Sequence, residues 1–223
     1  MPTFPDKDLI TAAIRGDLSG AQAALAAGAD PYFDNGKAIE AAITNGRLDL
    51  VALFFDAKRT DWVSRAAIWM AAENGRPEIV EYLINQGVDV NATESKALQG
   101  AAFLGNVEVV DLLLSAGAHT DNKALKFAVI KGHEAVADRL LAAGADLHAE
   151  DDFCLRHAAA LGNVPMIDVL VRHGADPDAH CVKAAAEKHA NVRAWMDRRT
   201  IEAFCEASEG EMGRKAVIAR ARV

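Results

Sequence analysis

The chain has 223 residues, 51% of them hydrophobic, and its formal net charge is −8. This length and composition are sufficient for a buried core, whereas the negative charge argues against nucleic acid, which is bound by clustered lysine and arginine. No run of 18 apolar residues predicts a membrane span, and residues 1–10 lack the pattern of a secretory signal. We therefore expect a cytoplasmic protein with no membrane partner, and we expect its three cysteines to be reduced.

The predicted secondary structure is a series of short helix pairs in which the same residue types return at the same places. The seven pairs open on the apolar residues Leu9, Ile39, Ile68, Leu98, Leu125, Leu155 and Val182. Three residues later, each pair has an alanine: Ala12, Ala42, Ala71, Ala101, Ala128, Ala158 and Ala185. Seven residues after the opening residue, the first six pairs have a glycine: Gly16, Gly46, Gly75, Gly105, Gly132 and Gly162. A second glycine lies twelve residues further on in five pairs: Gly28, Gly87, Gly117, Gly144 and Gly174. Such a period predicts a stack of equivalent units.

Residues 98–117, with the sequence LQGAAFLGNVEVVDLLLSAG, carry this pattern most clearly. Ala101 allows neighbouring first helices to approach closely, because a larger side chain would hold them apart. Gly105 is predicted to form the turn between the two helices, and Gly117 is predicted to end the second helix in a left-handed conformation. Two helices this short cannot bury both their faces alone, so each pair needs a neighbour.

We expect one domain over residues 1–199, followed by a C-terminal cap or tail over 200–223. The predicted units lie near residues 7–30, 36–60, 65–91, 95–120, 122–148, 152–178 and 179–199. In the second unit Lys58 replaces the second glycine, which predicts an irregular junction with the third unit. In the seventh unit His189 replaces the turn glycine, and this unit is predicted to be a terminal cap.

Three runs, residues 71–91, 100–118 and 157–177, resemble ankyrin repeats in the same register. The resemblance implies an all-α ankyrin-repeat solenoid of about seven helix-turn-helix units that binds other proteins. The Thr-Pro-Leu-His start of the family's inner helix is absent. The fingers, which run from the second glycine of one unit to the opening residue of the next, span only 11 or 8 residues. Fingers this short predict loops with little or no β-hairpin.

The resemblance also places a partner protein on the inner helices of the concave face. In units three to six the predicted partner-binding residues are Trp69, Met70, Glu73, Phe103, Leu104, Phe127, Ile130, Lys131, His157 and Leu161. If exposed, the apolar members form a patch of the kind that marks an interface. The alternative is that some of them pack between neighbouring helices as core. We expect Leu104 and Phe127 to be the more accessible members.

Acidic residues are densest in the finger before unit six, at Glu150, Asp151 and Asp152. This group predicts attraction of a basic segment on the partner. The alternative is a solvated surface that keeps the protein in solution.

A metal-dependent or enzymatic function is a weaker interpretation of the sequence. Cys154 and His157 lie three residues apart on one predicted helix, and they suggest a metal-dependent or enzymatic protein as an alternative. The sequence contains no C-x-x-C, H-E-x-x-H, G-x-S-x-G or phosphate-loop motif, so we predict no catalytic residue, metal or cofactor.

The leading prediction is a monomeric protein that acts by occupying a partner, as an inhibitor, an immunity-type protein or an adaptor. Self-association through the apolar patch is a further alternative.

Overall fold

The computed structural model describes residues 4–57 and 61–202, and these divide into two compact units, Met1–Asp146 and Leu147–Val223. The first compact unit contains α1 (Phe4–Arg15), α2 (Leu18–Ala26), α3 (Phe33–Thr44), α4 (Leu48–Ala57), α5 (Asp61–Glu73), α6 (Pro77–Asn85), α7 (Lys96–Leu104), α8 (Val107–Ser115), α9 (Asn122–Lys131) and α10 (Glu134–Ala142). The second contains α11 (Ala149–Leu161), α12 (Val164–Arg172), α13 (His180–Lys188) and a helical segment, α14, over 190–202.

The helices of the first compact unit form two parallel rows. Each odd-numbered helix packs against the next odd-numbered helix, from α1 to α9, and these are the inner helices. The even-numbered outer helices pack against one another in the same way, from α2 to α10. In the second compact unit α11 packs against both α12 and α13. The predicted all-α stack of helix-turn-helix units is confirmed, and the described residues contain no β-strand.

The periodic residues of the sequence form the core between these helices. All seven opening residues and all seven alanines are buried, and the most exposed of them, Ala12, has an exposed fraction of only 6%. The outer helices add an apolar stripe, represented in α8 by Val110 and Leu113, both fully buried. The burial of every repeat alanine agrees with its expected place between neighbouring inner helices.

The turn inside each pair combines a left-handed residue with a helix cap. Gly105 ends α7 with φ 76°, and the side chain of Asn106 then accepts a hydrogen bond from the amide of Val109 over 3.1 Å. Asn163 caps α12 in the same way, through the amide of Met166. In the seventh unit His189 takes an extended conformation, with φ −117°. The absence of the turn glycine therefore changes the conformation of the turn. The helix that follows still packs into the core, because its Val192 is fully buried.

The fingers differ according to their length. In the 11-residue fingers the chain enters the inner helix through consecutive left-handed residues: Asp34, Asn35 and Gly36; Glu94 and Ser95; and Glu150, Asp151 and Asp152. All three groups fall within the same repeat positions, three to five residues before the opening residue. In the 8-residue fingers an extended residue precedes the helix instead, Asp121 or Ala179. The three additional residues of the longer fingers are therefore accommodated by a left-handed turn.

Two expectations fall on parts of the chain that the structure does not describe. Lys58, where an irregular junction is expected, lies outside the described residues, as do residues 203–223 of the predicted tail. The continuity of one solenoid over residues 1–199 stays a prediction.

Candidate protein-binding site

The inner helices α5, α7 and α9 form an open cavity of about 240 Å³. Its lining comes from three successive units: Trp69 and Glu73 from α5; Lys96, Gln99, Gly100 and Phe103 from α7; and Phe127 from α9. Four of these residues, Trp69, Glu73, Phe103 and Phe127, are among the predicted partner-binding residues. The structure therefore brings together side chains that are up to 58 positions apart in the sequence.

Gly100 creates this cavity because it lacks a side chain. It occupies the repeat position at which the neighbouring units carry Met70 and Phe127, two residues after the opening residue. A β-carbon on Gly100 would lie 3.3 Å from the Cα atom of Glu73, so the two helices approach each other closely here. The cavity is a gap in a row that larger side chains fill on both sides.

Aromatic rings form one wall of the cavity. The rings of Phe103 and Phe127 meet edge to face, with centroids 5.7 Å apart and an interplanar angle of 89°. Phe103, Leu104 and Ile130 are exposed by 44%, 46% and 41%. Leu104 is exposed as expected, although Leu161, at 61%, is the most exposed member of the predicted patch. The expectation that Phe127 is among the more accessible members is wrong, because its ring packs against Phe103 and is half-buried.

Two lysines lie over aromatic rings of the site. The Nζ atom of Lys131 is 4.2 Å from the ring centroid of Phe103, and that of Lys96 is 5.9 Å from the ring of Trp69. A cation over an aromatic face is attracted by the ring quadrupole, which favours one position for each ammonium group. Of the remaining predicted residues in this compact unit, Met70 is half-buried and Glu73 is exposed.

Our sequence reasoning missed Lys96 and Gln99 as lining residues. The signal for Lys96 was helical spacing: with Gly100 and Phe103 it follows an i, i+4, i+7 pattern, which places all three residues on one helix face. The amide nitrogen of Gln99 donates to the carboxylate of Asp121 over 2.5 Å, and this carboxylate also caps α9 by accepting from the amide of Ala124. Gln99 therefore connects the inner helices of two neighbouring units.

The predicted residues of unit six lie in the second compact unit. The ring of His157 stacks on that of Phe153, with centroids 5.5 Å apart and planes 17° from parallel, and Leu161 is exposed by 61%. Asp152 accepts a hydrogen bond from His148 Nδ1 over 2.6 Å, so part of the acidic group has a partner within its own unit. The use of these residues in partner binding stays a prediction.

Neither of the two described thiols, those of Cys154 and Cys181, is placed for nucleophilic chemistry. Cys154 is exposed by only 3%, and burial raises the pKa of the Cys181 thiol. A raised pKa lowers the fraction of thiolate, which is the reactive form. Within the described part of the chain, no three His, Cys, Asp or Glu side chains are grouped as metal ligands would be. No observation on these residues favours the metal-dependent or enzymatic alternative.

The chain belongs to the ankyrin-repeat family. The family profile described as "Ankyrin repeats (3 copies)" matches residues 9–94, 39–124 and 98–181. The chain is therefore a protein–protein interaction module, of a family that generally consists of non-enzymatic scaffolds. No helix among residues 4–57 and 61–202 combines the length and hydropathy needed to cross a bilayer.

Individual relatives agree with this assignment. The chain is 32% identical over 181 residues to the Ankyrin repeat and KH domain-containing protein mask-1 of Caenorhabditis elegans; the match covers 79% of this chain but only 6% of that protein. The human ASB11 ankyrin repeat domain superposes with a TM-score of 0.69 at 20% identity, covering 85% of this chain and 96% of that one. An ankyrin repeat domain from Acinetobacter baumannii gives a TM-score of 0.64 at 24% identity, covering 75% and 98%. Both structural matches concern the fold.

Proposed function

We propose that the chain binds a partner protein through the inner-helix site formed by α5, α7 and α9, and that it acts by covering a surface of that partner. One observation carries this proposal: Phe103, Leu104 and Ile130 are large apolar side chains, more than 40% exposed, on two adjacent inner helices. Exposed apolar side chains that cluster in this way typically mark an interface. Burial of such a group on binding would contribute roughly 25 cal/mol for each Å² of apolar surface removed from water.

The arrangement of the site supports binding of a protein surface rather than a reaction. The cavity is open and lies between three helices, with aromatic walls and charged groups at its edge. Interfaces of this kind use a few aromatic anchors surrounded by a polar rim. Within this proposal, an inhibitor, an immunity-type protein and an adaptor share one mechanism, because each acts by occupying its partner.

A charge substitution inside the site tests the proposal. Proteins bound by the wild-type chain in an extract of its source cell should be lost with Phe103→Asp. The matched control is Ile14→Asp, because Ile14 occupies the same repeat position in the first unit and is 60% exposed. Thermal unfolding by circular dichroism should be similar for both variants. Retention of every partner by a folded Phe103→Asp variant would show that the site lies elsewhere.

The same variants separate a foreign partner from self-association. Sedimentation velocity of the purified wild-type chain should give a monomer over a wide range of protein concentration. A wild-type dimer that Phe103→Asp dissociates, and that Ile14→Asp leaves intact, would assign this surface to a second copy of the chain. In that case the proposal of a foreign partner at this site would fail.

The acidic residues Glu150, Asp151 and Asp152 at the start of α11 support a separate, weaker proposal, which is contact with a basic segment of the partner. Asp151 is exposed, whereas Asp152 is engaged with His148. Asp151→Lys should weaken binding and lower its dependence on salt if a basic segment lies there, because screened charges act over about 10 Å at 0.1 M salt. Unchanged affinity would leave these residues as a solvated surface.

A further inference from the structure

The central inner helices carry positive charge within an acidic chain. The charged side chains of α7 and α9 are all lysines: Lys96, Lys123, Lys126 and Lys131. The outer helices of the same units, α8 and α10, have only Arg139 against four acidic residues: Glu108, Asp111, Glu134 and Asp138. Charge is therefore segregated between the inner and outer faces of units four and five, although the chain as a whole has a net charge of −8.

Two of these lysines lie directly at the cavity. Lys96 lines it, and Lys131 lies over Phe103, which lines it as well. Both lysines are exposed, each lies over an aromatic ring, and neither forms an ion pair with a carboxylate of the described residues. Glu73 is the one acidic side chain in the lining. The ammonium groups are thus held near the apolar surface and remain available to an external carboxylate.

We propose that the occupant of this site is an acidic polypeptide segment with one large apolar side chain. The apolar side chain enters the cavity above Gly100, between Trp69 and the rings of Phe103 and Phe127. Carboxylates that flank this side chain in the segment pair with Lys96 and Lys131. This inference rests on the proposed function and adds the chemical class of the partner.

Charge complementarity and cavity size together support this class of occupant. A cavity of about 240 Å³ admits a side chain but no folded element. Lysines at the rim of an interface steer an acidic ligand toward it and exclude a basic one. Single-stranded nucleic acid also combines lysines with aromatic rings, but it needs a basic groove that follows its backbone. The acidic outer helices and Glu73 disfavour such a groove.

Selection of peptides on the whole chain tests the inference. Random twelve-residue peptides displayed on phage should yield binders with a net negative charge and one aromatic or leucine residue. The affinity of the best synthetic peptide, measured by fluorescence polarisation, should fall about tenfold in the double variant Lys96→Gln/Lys131→Gln, because two exposed ion pairs together contribute from about twofold to about thirtyfold. Raising the salt concentration should weaken wild-type binding and have less effect on this variant.

Matched variants separate charge at the site from charge in general. Lys7→Gln/Lys188→Gln removes two exposed lysines that lie outside the site, and it should leave the affinity unchanged. Phe103→Asp should abolish binding of the acidic peptide, whereas Ile14→Asp should not.

The outcomes distinguish this inference from the proposed function. Peptides that require Phe103 but are neutral or basic, or that bind the double lysine variant with full affinity, would overturn the acidic class and leave the site intact. Selected peptides that bind Phe103→Asp as well as the wild type would overturn both. A twelve-nucleotide single-stranded RNA that binds more tightly than any selected peptide, and in a lysine-dependent manner, would assign the site to nucleic acid instead.

Discussion

The imidazole ring of His133 occupies the space that a side chain on Gly105 would need. His133 Nδ1 lies 2.5 Å from the position of a β-carbon on Gly105, and His133 Nε2 donates to the carbonyl oxygen of Phe103 over 3.1 Å. His189 has the same relationship to Gly162 and to the carbonyl of Ala160 in the second compact unit. The turn glycine is therefore required twice, once by its left-handed backbone and once by the next unit's side chain.

Two alanine substitutions separate these requirements. Gly117 has φ 85° and nothing within 4 Å of a β-carbon, so Gly117→Ala should lower the free energy of unfolding by about 1 kcal/mol through backbone conformation alone. Gly105→Ala should lower it by about 2 kcal/mol or more, because the ring of His133 must also leave its carbonyl acceptor. Urea denaturation measures both values.

The double variant Gly105→Ala/His133→Ala provides the control for this comparison. Removal of the ring should make the two substitutions less than additive, because the new methyl group then has space. Equal losses of stability for Gly105→Ala and Gly117→Ala would show that the ring of His133 imposes no requirement on the glycine.

Asn91 should stabilise the contact between two fingers. Its Nδ2 atom donates to the carbonyl of Gly117 over 2.9 Å, and its Oδ1 atom accepts from the amide of His119 over 2.8 Å. Asn91→Ala should lower the free energy of unfolding by about 1–2 kcal/mol, because two hydrogen bonds are lost. Hydrogen exchange should become faster at the His119 amide in particular. Asn122→Ala, at an exposed position, is the control and should change stability by less than about 0.5 kcal/mol.

The Tyr32 phenol should lose its proton only at an unusually high pH, and it should make the stability of the fold depend on pH in alkaline solution. Burial, and then the Asp30 carboxylate and Tyr82, raises its pKa to about 12, and its hydroxyl donates to the carbonyl of Phe54 over 3.0 Å. The unfolded chain has a tyrosine pKa of about 10, so the neutral phenol stabilises the fold fully below about pH 10. This contribution is lost as the pH rises toward about 12.

Tyrosinate absorbance provides the measurement, because the chain has only two tyrosines. Tyr32→Phe should remove the late component of the titration, and Tyr82→Phe should leave it in place. A late component that persists in Tyr32→Phe would contradict the assignment.

The left-handed fingers predict an unusual response to glycine. Glu94 has φ 50° and is exposed, so Glu94→Gly relieves an unfavourable conformation and should raise the free energy of unfolding by up to about 1 kcal/mol. Glu81, which is exposed in the middle of helix α6, is the control, and Glu81→Gly should lower the free energy of unfolding by about 1 kcal/mol. Thermal melts that rank the two variants in the opposite order would be inconsistent with a left-handed Glu94.

The helical stack could be predicted from the sequence because close helix packing imposes a strict period on small and apolar residues. Leu98, Ala101 and Gly105 stand at positions where the units make the same packing contact or the same turn, so their residue types recur along the sequence. The left-handed turns could not be predicted in this way. Glu94 and Glu150 are not residues that favour a positive φ, and their conformation follows from the distance that the finger must bridge.

The candidate site was predicted only in part, for a related reason. Phe103, Leu104 and Ile130 were found because helical spacing places them on one face. The cavity depends on the absence of a side chain at Gly100 between its neighbours in α5 and α9, which is a property of three units together. The half-buried state of Phe127 likewise depends on its edge-to-face contact with Phe103.

The left-handed entry to the longer fingers has a consequence for how such a chain can diversify. Insertion or deletion of three residues at this point changes the reach of a loop, while the helices on either side keep their packing partners. Finger length can then change over evolution at little cost to folding, and an engineered triplet inserted before α9, between Ala118 and Asp121, would lengthen that finger without a redesign of the core.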